Sequence, residues 1–190
     1  MERIMKKMMK ILLLMFFACL PSSSFSQRIS DLPQAQVIYG GSFGATILAP
    51  SGWEFQPASA NQQKRDHILA IYKRKNVGLD QVGIYITVIP KEIRKPESID
   101  KEISYDRKMS ERDGLVLVNS IKGQTDDREY AVNTWKGQGF LRHVGLSPTK
   151  DGVLLVIGTT KDKKYDALLH EGVNAIVRSA VSMKVFTIEK

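Results

Sequence analysis

Between Leu115 and Thr159 four strand-length patterns follow one another with very little chain between them: Leu115–Ile121, Glu129–Trp135, Phe140–Leu146 and Val153–Thr159. Each is rich in β-branched and aromatic residues. A parallel neighbour needs a crossover of a dozen or more residues, which these connections cannot supply. The four segments must therefore run antiparallel, as successive hairpins. Asp127-Arg128 and Gly137-Gln138-Gly139 fall in two of the connections, and Thr149-Lys150-Asp151-Gly152 carries the Asp-Gly pair that favours tight hairpins.

The same period recurs upstream. Thr46–Ala49 runs into the turn Pro50-Ser51-Gly52 and then Trp53-Glu54-Phe55. Residues 56–66 are polar and read as a loop, His67–Lys73 reads as a strand, and Val82–Ile89 is a strong strand pattern ended by Pro90. The period then changes. Ser98 stands where an N-cap belongs, Asp100 and Glu102 complement the first turn, and Ile99, Ile103 and Met109 mark a helix ending near Asp113-Gly114.

A second helix is expected over residues 163–181, where Tyr165, Leu168, Leu169, Val173, Ile176, Val177, Ala180 and Val181 recur at three and four residues. Gly172 on the same face weakens the helix but lets it approach a sheet closely. Strands in runs, with helices set apart from them, imply an α+β fold built on a mostly antiparallel sheet flanked by helices. The expected organisation is a signal peptide over 1–26, a flexible N-terminal segment over 27–45, one domain over 46–185 and a short tail over 186–190. Pro33 and Gly40-Gly41-Ser42-Phe43-Gly44 mark the second segment, within which Val37-Ile38-Tyr39 offers a group to dock on the domain.

The signal peptide rests on a basic start (Arg3, Lys6, Lys7, Lys10), an apolar run over 11–20, and small residues at Ser24 and Ser26. As a helix the run reaches only about 15 Å, half the hydrocarbon thickness, so no permanent transmembrane span is expected. Cleavage between Ser26 and Gln27 is the reading adopted. The alternative is lipidation of Cys19, since Phe16-Phe17-Ala18-Cys19 is similar to a bacterial lipobox, with Phe16 where an aliphatic residue is usual. Cys19 is the chain's one cysteine, so no intrachain disulfide can form. The expected destination is the periplasm or the exterior of a bacterium.

Catalytic signatures are sparse. There is no Gly-x-Ser-x-Gly elbow and no P-loop, and Arg142 stands where a dinucleotide loop starting at Gly137 would need glycine. His67, His143 and His170 lack metal-ligand spacing. His143 reads as a hydrogen-bonded strand residue. Asp166 and His170, four apart, read as a local pair on the last helix. Asp126, Asp127 and Glu129 read as a solvated turn, and Trp53 and Trp135 as core. The net charge of +8 gathers in Lys73-Arg74-Lys75 and in Lys161, Lys163 and Lys164, which read as solubilising charge. No catalytic residue, cofactor, metal or nucleic-acid partner is expected.

Three stretches carry a family resemblance: Ala49-Pro50-Ser51-Gly52-Trp53, Glu97-Ser98-Ile99-Asp100, and Asp151-Gly152 through the VLLVIGTT strand to Met183. Across about residues 45–184 the chain resembles the PsbP-like superfamily, and within it the bacterial DcrB-like exported proteins. The resemblance implies an α/β/α sandwich around an antiparallel sheet. It also implies a non-enzymatic accessory or protein-interaction role in the envelope, with an unknown partner. A cleft between sheet and helix that binds a small molecule or lipid is the alternative.

Overall fold

The chain places its strands as β1 (Ala35–Gly40), β2 (Phe43–Leu48), β3 (Trp53–Pro57), β4 (Ile68–Arg74) and β5 (Val82–Pro90). Helix α1 (Ile99–Arg112) follows, then β6 (Val116–Gln124), β7 (Glu129–Gly137), β8 (Phe140–Thr149) and β9 (Gly152–Thr160). A 3₁₀ turn over Lys163–Tyr165 leads into α2 (Asp166–Ser179), and β10 (Val181–Met183) ends the order. This computed structural model describes residues 35–40, 43–59, 61 and 68–183. The expected signal peptide with Cys19, Ser26 and Gln27, and also His67 and the tail 186–190, lie outside the described residues.

Seven strands form one sheet in the order β3-β4-β5-β9-β8-β7-β6, and β1-β2-β10 form a smaller one. Every pairing is antiparallel, which makes the fold α+β. The ladders align whole rows of residues. Ile84, Gly158, His143 and Thr134 stand side by side across β5, β9, β8 and β7. The next row, one residue along, is Tyr85, Ile157, Val144 and Asn133. Because side chains alternate along a strand, these rows point to opposite faces.

The first face takes α2. Leu169, Val173, Ile176 and Val177 pack there with Trp53, Tyr72, Ile84, Ile86, Val132, Leu154 and Val156, joined by Ile38, Ala45 and Ile47 of the small sheet. Close approach depends on two glycines. A Cβ on Gly158 would stand 2.8 Å from Leu169 Cδ1 and Val173 Cγ2, and one on Gly172 would stand 2.9 Å from Ile84 Cδ1. The second face takes α1, whose Ile99 and Ile103 pack with Leu115, Ala131, Trp135, Val144 and Leu146. Helix α1 lies against β6, β7 and β8. The part of this face formed by β5 and β9 therefore adjoins the helix without lying under it.

Three expectations are corrected. Residues 35–40 of the segment read as flexible form β1, and Ile38 is only 2% exposed. Burial of Ile38 in the core, plus a complete ladder to β2, outweighs the conformational freedom of the neighbouring glycines. The first strand of the expected domain begins at Phe43 rather than Thr46. The last helix stops at Ser179, and Val181–Met183 turn into β10 against β2. Ser179 Oγ donates to Ile176 O at 3.1 Å and accepts from Leu48 N at 2.9 Å, which closes the helix onto β2. At α1, Ser98 occupies the N-cap in extended conformation, but its side chain makes no capping bond. Asp113 and Gly114, the latter at φ +76°, end that helix where expected.

Candidate functional site

The stripe Glu102, Tyr105, Asp106, Met109, Ser110 and Asp113 repeats at three and four residues along α1, so it forms one helical face. Only Ile99 and Ile103 fill the neighbouring apolar stripe, and the helix sits off-centre on the sheet. A cleft of about 280 Å³ results between this stripe and the strands. Its floor is Ile89, Val144, Leu146, Leu155 and Ile157, contributed by β5, β8 and β9. Arg94 and Arg142 complete its walls.

The charges are arranged in three groups. Near the start of α1, Arg94 Nη2 lies 2.7 Å from Glu102 Oε2, and the guanidinium stacks 4.2 Å from the Tyr105 ring centroid. Glu102 is 1% exposed, and its other oxygen accepts from Glu97 N at 3.2 Å. Midway, Asp106 Oδ2 accepts from Asn133 Nδ2 at 2.7 Å and from Trp135 Nε1 at 2.9 Å, while Ser110 Oγ approaches Oδ1 at 3.4 Å. Burial raises the pKa of Asp106 above the ordinary carboxylate value, against the lowering effect of these bonds and of Arg142. At the far end, Arg142 Nη1 stands 3.8 Å from Asp113 Oδ2, too far for a hydrogen bond. Among the described residues the Nε atoms of Arg94 and Arg142, and Glu102 Oε2, are buried without a hydrogen-bond partner.

A second polar group lies under α2. His143, 2% exposed, holds Thr134 Oγ1 at 3.0 Å from Nδ1 and Asp166 Oδ1 at 2.7 Å from Nε2. The expected pairing of Asp166 with His170 is thus replaced: Asp166 reaches down to His143, and His170 packs edge-to-face on the same imidazole at 5.3 Å. Burial lowers the pKa of His143, helped by His170 and opposed by Asp166. Thr134 is itself buried in mid-strand, so its hydroxyl offers no access to a substrate.

The remaining candidates fall as follows. Trp135 is fully buried and Trp53 nearly so, both in core positions. Asp127 accepts from Thr125 and pairs with Arg128 in the β6–β7 hairpin. Among the described residues no group of three or more His, Cys, Asp or Glu side chains is placed to hold a metal ion. Lys73 pairs with Glu54, and Lys164 with Asp162. A broader hollow of about 570 Å³ lies between Pro96–Ile99, Asp127–Glu129 and Pro148–Lys150. Its Arg128 is already engaged by Ser147, Asp127 and the C-terminal carbonyls of α2.

Sequence reading missed Arg94, Tyr105, Asp106, Ser110 and Arg142 as a group, and took Glu102 only as a first-turn charge. The polar stripe along α1 was the available signal. Its inward orientation depends on where the helix sits on the sheet, which the periodicity does not encode.

No protein-family model and no curated protein matches the chain. Among solved structures, the solution structure of cyanobacterial PsbP (CyanoP) from Synechocystis sp. PCC 6803 aligns with a TM-score of 0.45 and 11% identity. The alignment covers 76% of this chain and 92% of that one. Among the described residues no helix is long and apolar enough to cross a membrane.

Proposed function

We propose that this chain is a non-enzymatic binding domain of the bacterial envelope, and that it holds a small, largely apolar ligand in the cleft beside α1. One observation carries the reading: an apolar floor of Ile89, Val144, Leu146, Leu155 and Ile157 walled by the guanidiniums of Arg94 and Arg142. A ligand seated there removes the apolar floor from water, and the guanidiniums orient its polar end. The buried position of Thr134 in the other polar group supports a role without catalysis. Native mass spectrometry of the protein purified from its own host tests the proposal. A retained small molecule is expected, and a mass equal to that of the bare chain at every preparation would count against it.

A second reading is an accessory protein-interaction domain. Strand β6 is an edge of the large sheet, and Val116 and Val118 are 67% and 58% exposed there. Exposed apolar residues on an edge strand suit pairing with a strand of another protein. Crosslinking in envelope extracts, with Val118→Lys as the control, separates the two readings.

Placement in the periplasm or exterior belongs to the same proposal and rests on residues 1–26. N-terminal sequencing should find Gln27 first, whereas a blocked Cys19 in detergent fractions would replace secretion by lipid anchoring. The α/β/α layering and the kinship with DcrB-like exported proteins are also part of this reading. They are supported by the helices on opposite sheet faces and by the motifs at 49–53, 97–100 and 151–183.

A further inference from the structure

We infer that the occupant of the α1 cleft is a small hydrophobic carboxylate, with its apolar body on the β5–β9–β8 floor and its carboxylate on the guanidinium of Arg142. The inference rests on the binding role proposed above and adds the chemistry of the ligand.

The volume sets the size. About 280 Å³ stands at the lower end of small-molecule sites, which suits a medium-length acyl chain or an aromatic acid and excludes a two-chain lipid. The floor sets the body: Ile89, Val144, Leu146, Leu155 and Ile157 offer no polar side-chain atom.

The distribution of unmet bonds sets the head group. Asp106 takes donors from Asn133, Trp135 and Ser110, and so is already supplied. Glu102 forms an ion pair with Arg94 and accepts from the Glu97 amide at Oε1, while its Oε2 has no hydrogen-bond partner among the described residues. Arg142 differs from both. Among the described residues its one ion-pair partner is Asp113, 3.8 Å away and half exposed; Asp106 acts on it only through space, and Arg142 Nε is buried without a hydrogen-bond partner. A guanidinium whose Nη1 stands 3.8 Å from its ion-pair partner presents its two Nη groups as the paired donors that a carboxylate accepts side by side.

Three amphiphiles of equal chain length test this: octanoate, octanol and octylamine. Each is titrated into the delipidated full chain carrying ¹³C-methyl methionine, with the Met109 resonance as reporter because Met109 lines the cleft. Octanoate should shift Met109 and bind about tenfold or more tightly than octanol, with octylamine weakest. Arg142→Gln should abolish the preference for octanoate and leave octanol binding unchanged. Equal binding by all three, or octylamine binding best, overturns the carboxylate assignment while leaving the cleft as a binding site. No Met109 shift with any of them overturns the cleft reading itself. If Arg142→Gln does not fold, the ranking of the three head groups on the unsubstituted chain decides.

Discussion

His143 Nε2 lies 2.7 Å from Asp166 Oδ1, a bond that ties the middle of β8 to the first residue of α2. A neutral imidazole satisfies both of its partners: it donates from Nε2 to Asp166 and accepts at Nδ1 from the Thr134 hydroxyl. The contact therefore fixes the entry of α2 over the sheet without requiring charge on the ring.

This arrangement sets a pH dependence. Burial holds the His143 pKa below its unfolded value of 6.5. As pH falls below that value the unfolded chain takes up a proton that the folded chain resists, so stability is lost until pH passes the folded pKa. Comparing the melting temperature of the native chain with that of His143→Gln at pH 7.5 and pH 5 isolates the effect. The native chain should lose more on acidification. A native chain that gains on the variant at pH 5 would mean that Asp166, not burial, dominates.

Asp106 is the acceptor for two buried donors, Asn133 Nδ2 and Trp135 Nε1. Asp106→Ala leaves both unbonded, at about 1–3 kcal/mol each before any water enters the cleft. Urea unfolding should show a loss of about 2–4 kcal/mol. Asp106→Asn keeps one acceptor oxygen and should cost less. Equal losses would show that the charge of Asp106, rather than its acceptor atoms, is what matters.

The hairpin run from β6 to β9 could be read from residues 115–159 because short connections leave antiparallel pairing as the sole arrangement. The face of α2 could be read as well, since Leu168, Leu169, Val173, Ile176 and Val177 recur along it at helical spacing. Other features required the third dimension. The Ile38 strand runs into glycines, and its order comes from burial in a core shared with α2 and the large sheet, distant in sequence, rather than from local preference. Likewise Asp166 has a histidine four residues on, the usual helical partner, yet the sheet offers His143 closer. The α1 cleft was hidden for a related reason: its polar stripe looks like any solvated helix face until the offset of α1 from β5 and β9 is known.

Gly158 lies where α2 crosses β9. A methyl group there would meet Leu169 Cδ1 and Val173 Cγ2 at 2.8 Å, closer than carbon atoms pack. Gly158→Ala must push the helix outward or force strained rotamers, which costs about 1–3 kcal/mol. Chemical denaturation measures this. A neutral or stabilising outcome would mean that α2 shifts freely on the sheet, and that the His143–Asp166 bond does not hold its position.

Leu169 and Arg178 lie on opposite faces of α2. Leu169 is fully buried against the sheet, while Arg178 is exposed in the last turn. Leu169→Asp places a carboxylate among Val173, Ile84 and Val156 of the same core. It must stay charged at great cost or bind a proton, and the lost packing adds its own penalty. The expected loss is several kcal/mol, out of a total of about 5–15 for a domain of this size. Arg178→Asp removes a favourable charge from the helix C-terminus and installs an unfavourable one, worth about 0.3–1 kcal/mol each at an exposed site. Its backbone carbonyl, which accepts from Arg128 at 3.3 Å, is untouched by the substitution. Thermal unfolding should therefore separate the two variants widely. Similar losses from both would mean that α2 does not present Leu169 to the sheet, and the packing of the whole first face would need to be redrawn.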